Sequence, residues 1–384
     1  MADIKEKVTI LNVPAATGAG QSPSPKPVYS VTKNDTEINE NFDFERERRL
    51  LMRMNAPDYL HTVSLSEIYD TVYTPKKHVV EGLLCSGVYL FAGAPKVGKS
   101  FFMAQLGYHI SNGIPLWDNT VDAGIVLYLA LEDDFSRLQK RLSRMFGTDS
   151  TDYFRFATHA KNLNGGLDSQ LTRFVKENPD TKLIIIDTLQ KIREVGGEKY
   201  SYASDYEIVT KLKQFADQHS ICVMLVHHTR KQTADDCFDT ISGTNGLLGA
   251  ADGAFILQKE KRTANAAILD VVGRDQQDQR LHLLFDRERC VWELTSTESE
   301  LWKEPPDPVL DAVARLVTLD TPEWSGNATE LVSLLDISDV QPNVLTRRLN
   351  IGADKLLSEY GIRYDSSRRN AGRIVKLILD DAKA

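Results

Sequence analysis

Eight consecutive residues of this sequence have the types and spacing needed to hold a chain of phosphates. Gly93, Ala94, Pro95, Lys96, Val97, Gly98, Lys99 and Ser100 fit G-x-x-x-x-G-K-[ST]. The glycines let the backbone curl so that successive N–H groups point inward at an anion. A helix opening at Lys99 would add its positive N-terminal end. Lys99 is placed to reach the β- and γ-phosphates of ATP, and the Ser100 hydroxyl to ligate Mg²⁺. With Phe101, these residues form the expected cofactor-binding set.

Two acids at strand ends complete such chemistry. Leu183 to Ile186 are apolar and end in Asp187, a position from which a carboxylate can accept from Mg²⁺-bound water. A strand-terminal acid also serves as a helix cap, and Thr188 could do the same. Leu127 to Leu131 end in Glu132, Asp133 and Asp134. Glu132 comes first and is the expected base for an attacking water, counted with Ser100 and Asp187 among the groups facing the metal. Asp133 and Asp134 can instead be first-turn acids of a helix beginning near Phe135.

These residues need a frame, and the apolar pattern supplies one. Gly87–Ala92, Gly124–Ala130, Leu183–Ile186 and Ile221–Val226 are nearly all apolar, as expected for strands buried on both faces. Helical patterns separate them: Ser100–Ser111, Phe135–Met145 and Tyr206–His219. The alternation predicts an α/β domain around a mostly parallel sheet. Gly253–Leu257, Ala266–Val272 and Leu281–Phe285 lack long helices between them and are expected as antiparallel additions at one sheet edge.

Before this domain, residues 1–48 include a Gly-, Ser- and Pro-rich stretch and are expected as a disordered tail. The ATPase domain is drawn over 49–300. Residues 301–308 hold Pro305, Pro306 and Pro308 and read as a linker. Residues 309–384 carry four helical stretches and two strands around a turn, an arrangement that looks like a winged helix.

The 384 residues are 42% hydrophobic and 26% charged, which excludes a wholly disordered chain or a rod. The four cysteines form no CxxC pair, so a zinc site is not expected. No apolar run has the length of a membrane span, and the expected setting is cytoplasmic, with no membrane partner. The 46 Lys and Arg against 54 Asp and Glu give a net charge of −8, which by itself argues against a polyanionic partner. The charge is unevenly spread. Residues 340–379 hold eight bases and three acids, a net +5. Arg347, Arg348, Arg368, Arg369 and Arg373 in this segment are candidate DNA contacts. A protein-binding winged helix, or a basic face for an acidic partner, is the alternative.

Taken in order, the motifs resemble the RepA-like hexameric helicases of the RecA/DnaB superfamily of ATPases. The resemblance rests on Val79–Leu84, the loop Phe91–Ser100, the acidic strand end Tyr128–Asp133, Ile184–Thr188, Leu225–Arg230 and Ser242–Gly253. It implies a RecA-like core, ATP with Mg²⁺, and a homo-hexameric ring with sites at subunit interfaces. It places His228, rather than His227, as a polar sensor of the γ-phosphate. It places Arg274 as a finger supplied to the neighbouring subunit, with Arg280 as the fallback. Relatives of the DnaB type carry a lysine two positions before the finger, and Val272 stands there in this chain. The polar stretch 230–249 would face a central channel, where Arg230 and Lys231 could meet single-stranded DNA, or be only a surface loop. The implied function is an ATP-driven DNA motor, a replicative helicase of a plasmid, prophage or other mobile element. The alternatives are a non-helicase DNA-binding ATPase, such as a loader or recombination accessory, and an ATP-gated DNA-binding regulator.

Overall fold

A computed structural model of the chain describes residues 7–12, 27–32, 48, 52–53, 55–193, 202–230, 236–241, 245–259, 261, 263–298, 305–335, 340–369 and 372–380. The chain divides into two units, residues 1–71 and 72–384. In the first unit, strands β1 (Lys7–Asn12) and β2 (Pro27–Thr32) pair antiparallel, where the sequence suggests an unstructured tail. Helix α1 (Leu65–Asp70) follows, closed by a reciprocal capping box between Ser64 and Glu67.

The second unit opens with a short antiparallel pair, β3 (His78–Val80) and β4 (Leu84–Cys85). The main chain then runs β5 (Gly87–Gly93), α2 (Lys99–Asn112), β6 (Ile125–Ala130), α3 (Phe135–Phe146), β7 (Phe154–Ala157) and α4 (Asp168–Glu177). It continues through β8 (Thr181–Asp187), α5 (Leu189–Ile192), α6 (Tyr202–His219), β9 (Cys222–His228) and α7 (Asn245–Ala250). Strands β10 (Gly253–Gln258), β11 (Ala266–Gly273), β12 (Gln279–Asp286) and β13 (Val291–Glu298) complete the domain. Nine strands form one sheet in the order β13-β12-β11-β10-β5-β9-β8-β6-β7.

Six of these strands, β10, β5, β9, β8, β6 and β7, are parallel neighbours, and β11, β12 and β13 extend one edge antiparallel. One expectation is therefore corrected. Gly253–Gln258 is not an antiparallel addition, because β10 runs parallel to β5. The strand lies inside the sheet between β5 and β11, and its first five residues are all buried. An all-apolar run reports burial on two faces; it carries no direction. Strand β13, which holds the fully buried Trp292, was not foreseen.

Side chains on the sheet alternate between two cores, as the two-residue repeat of a strand requires. Tyr89 and Phe91 of β5 join Phe102, Met103 and Leu106 of α2 on one face. Val88, Leu90 and Ala92 join Leu171, Leu212 and Leu247 on the other. Covering both faces fixes the level of every parallel strand, and so the position of each strand end.

The chain beyond the sheet forms a third core. Helices α8 (Pro308–Leu316), α9 (Ala328–Leu335), α10 (Pro342–Ile351) and α11 (Ala353–Tyr360) surround a sheet of β14 (Glu323–Asn327), β15 (Ile362–Arg369) and β16 (Gly372–Leu379) in the order β14-β16-β15. Asn327 and Glu330 cap α9 reciprocally, each side chain accepting the other's N–H at 2.9 Å. Tyr364 donates from its hydroxyl to the buried Asn350, which ties α10 to β15. No helix among the described residues is long and apolar enough to cross a membrane.

Candidate nucleotide site

The candidate residues collect where β5, β6, β8 and β9 end. Gly93 closes β5 level with His228 of β9, and Asp187 closes β8 level with Ala130 of β6. The loop of residues 93–98 leaves β5 and enters α2 through Gly98, whose φ of 115° only glycine adopts readily. A β-carbon on Gly98 would also lie 2.8 Å from the Trp292 ring. Gly93 faces a different limit: a β-carbon there would stand 2.6 Å from the Leu257 carbonyl oxygen. Ala94, Pro95 and Lys96 form the exposed rim of the loop, and Val97 is buried beneath it.

Lys99 is buried and donates to the carbonyl oxygens of Gly93 (2.7 Å) and Ala94 (3.1 Å). Its Nζ also lies 3.2 Å from His228 Nδ1. Burial pulls the Lys99 ammonium down to about 8, against the opposing pull of Asp187 and Glu132. Burial, then the nearby Lys99, lowers His228 as well, so its imidazole is neutral at pH 7 and Nδ1 can accept from Lys99. His227, the preceding residue, is buried.

Ser100 Oγ donates to Asp187 Oδ2 at 2.7 Å, and the Tyr128 hydroxyl donates to the same oxygen at 2.8 Å. Burial raises the Asp187 pKa despite these two hydrogen bonds. Glu132 is exposed two residues beyond the end of β6 and accepts from Thr188 Oγ1 at 3.3 Å. Partners separate the three acids that follow β6. Asp133 pairs with Arg141 at 2.7 Å, and Asp134 caps α3 by accepting from the Arg137 N–H at 2.9 Å. Of the three, Glu132 is the one bonded to the residue beside Asp187.

These residues suit a magnesium nucleotide. Ser100 and Asp187 bring a hydroxyl and a carboxylate, both hard oxygen donors, into contact beside the loop. They would hold Mg²⁺ together with the phosphates, and the metal would supply charge neutralisation during phosphoryl transfer. Lys99, already donating to two carbonyls, would transfer those hydrogen bonds to phosphate oxygens.

Arg274 lies elsewhere. Gly273 pairs with Gly253, which is level with Tyr89, so Arg274 sits at the end of β5 opposite to the loop. Its Nη2 donates to the Gly249 carbonyl at 2.8 Å. The fallback Arg280 pairs with Asp270 at 2.7 Å on the edge strands. Arg230 is exposed and its N–H donates to the Thr240 carbonyl. Lys231 falls outside the described residues, as do the side chains of Arg368 and Arg369. Arg348 pairs with Asp307, the N-cap of α8, while Arg347 and Arg373 are half-buried on α10 and β16.

The sequence pattern missed several neighbours of the loop. Trp292 donates from its indole to the Gly98 carbonyl at 3.3 Å, and Gln105 binds both backbone groups of Trp292. The Lys259 ammonium lies 5.1 Å from the centre of the Trp292 ring and 5.2 Å from that of Phe285. Phe285 in turn meets Phe101, the last residue of the expected nucleotide set, at 5.5 Å. Tyr128 was visible only as an unusual hydroxyl in an otherwise apolar strand.

Residues 56–234 match the AAA domain family. That span holds the loop, both strand-end acids and His228, and the match supports ATPase activity there. Among solved structures, an ATPase domain determined by itself is 16% identical, over 67% of this chain and 100% of that one, with a TM-score of 0.47. A DnaB-like replicative helicase, described with its interactions with primase, is 15% identical over 65% of this chain and 71% of that one, TM-score 0.47. A KaiC-like protein from the archaeon Pyrococcus horikoshii is 13% identical over 59% of this chain and 100% of that one, TM-score 0.43. No curated protein matches the chain.

Proposed function

We propose that this chain is an ATP-hydrolysing motor on single-stranded DNA, a RepA-like replicative helicase with a RecA-like core that works as a homo-hexameric ring. The observation that carries this reading is the placement of Arg274 at the far end of the sheet from its own phosphate loop. Lys99, Ser100, Asp187, Glu132 and His228 form one half of a site. A guanidinium at the opposite end can complete only the site of another copy.

In this reading Lys99 and the loop N–H groups bind the phosphates, and Glu132 takes the proton of the attacking water. Neutral His228 accepts from Lys99 until phosphate draws the lysine away. Its ring would then bond the γ-phosphate and report its loss through Thr229 and Arg230 to the following loop. The C-terminal module, with its helix–strand–helix–helix order and the sheet β14-β16-β15, serves as a winged helix that contacts DNA phosphates. The setting is replication of a plasmid, prophage or other mobile element.

Mixing two inactive variants tests the shared site. Lys99→Ala retains the finger and Arg274→Ala retains the loop, so their mixture should regain ATPase activity that neither shows alone. A mixture as inactive as its parts, or a chain that stays monomeric with and without MgATP, overturns the ring. DNA-stimulated hydrolysis without strand displacement overturns the motor and leaves a non-helicase ATPase.

A further inference from the structure

At the end of the sheet away from the phosphate loop lies a second buried set of charges. Asp252, just before β10, has a side chain only 1% exposed. Its carboxylate takes the Lys76 ammonium at 3.0 Å, the Lys213 ammonium, and the Val88 N–H at 2.9 Å. Burial works against this carboxylate, but the contacts to Lys213, Val88 and Lys76 outweigh it and hold it below the usual range.

The set has a direction. The Arg274 N–H donates to the Asp252 carbonyl oxygen at 2.8 Å. The Lys76 ammonium that binds Asp252 also binds Asp275, the next residue, at 2.8 Å. Arg274 is thus flanked by two anchors, its own N–H on Asp252 and its neighbour's carboxylate on Lys76. Its guanidinium is exposed, and its only fixed contact among the described residues is a backbone carbonyl, that of Gly249. A side chain that must reach another copy of the chain needs its backbone fixed while its head stays available.

We infer that Lys76, through Asp252 and Asp275, is a positioning residue for Arg274. The inference rests on the reading of Arg274 as a finger for the neighbouring subunit. Loss of the Lys76 ammonium would let the loop after β11 drift, and Arg274 would reach the neighbouring site in fewer turnovers.

The test uses the full chain and steady-state ATP hydrolysis, with Lys76→Met, Lys76→Arg, Arg274→Ala and the double variant Lys76→Met/Arg274→Ala. Arg274→Ala should lower kcat at least about a hundredfold. Lys76→Met should lower kcat about tenfold with the KM for ATP within about twofold of the parent. Lys76→Arg, which keeps a cation for both carboxylates, should restore most of the loss. The double variant should be no slower than Arg274→Ala alone, because a finger that is absent cannot be misplaced. Should Lys76→Met fail to fold, Asp275→Asn, in the exposed loop, is expected to show the same kcat loss and the same lack of additivity. Wild-type kcat in Lys76→Met, or a further loss of about tenfold in the double variant, overturns the positioning. An Arg274→Ala chain with wild-type kcat overturns the finger itself and the positioning with it.

Discussion

The two ends of the parallel strands each bury one aspartate, and the two are satisfied in opposite ways. Asp252 is met by two ammonium groups and a backbone N–H. Asp187 is met by two hydroxyls, from Ser100 and Tyr128, and among the described residues no cation lies within ion-pair distance of it. Burial raises the pKa of Asp187, while the ammonium contacts lower that of Asp252. A buried acid whose charge is already neutralised holds the fold in place. A buried acid given only neutral donors retains a charge that a bound cation can use.

The contrast breaks most sharply under one substitution made at both ends. Asp187→Asn keeps the shape and can still accept from Ser100 and Tyr128, so the melting temperature should stay at or above the parent's. ATP hydrolysis should fall about 10²–10³-fold, because the metal loses its anionic partner. Asp252→Asn should do the reverse at the fold. Two ammonium groups are left without a counter-charge, and urea unfolding should show a loss of about 3–5 kcal/mol. Equal melting curves for the two variants would dissolve the comparison.

A smaller effect comes from Lys99. Its pKa of about 8 in the free chain means that raising the pH from 7 to 9 removes the proton that binds phosphate. Nucleotide binding must then restore that proton, and ATP affinity measured by titration calorimetry should weaken about tenfold across this range. Affinity that is flat with pH would show that Lys99 is no less basic than an exposed lysine. The smallest expected change is Tyr128→Phe, which leaves Asp187 with the Ser100 hydroxyl alone. Stability should drop by about 1 kcal/mol in chemical denaturation.

What could be read from the sequence was what neighbouring residues make together. The loop, its strand and its helix are contiguous, so Gly93 to Ser100 announced both local geometry and chemistry. Asp187 and Glu132 were readable because an apolar run ending in an acid marks a strand end. Separating Glu132 from Asp133 and Asp134 needed the structure, since only the partners Arg141 and the Arg137 N–H distinguish them. Groups assembled by strand order were not visible. Trp292 reaches Gly98, and Lys76 reaches Asp252, across well over a hundred residues. The direction of β10 was misread for a related reason, because parallel and antiparallel strands buried on both faces have the same apolar pattern. In the C-terminal module, the charge count drew attention to Arg348 as a DNA contact, yet its guanidinium engages the cap of α8.

Trp292 gives the phosphate loop an optical label of its own. The indole is fully buried, donates to the carbonyl of Gly98 and leaves no room for a β-carbon there. Any change in the turn that brings Lys99 and Ser100 to a nucleotide must alter the polarity around that ring. Its fluorescence can therefore follow the loop through binding and turnover in the unlabelled protein, at the residue where the strand gives way to the helix.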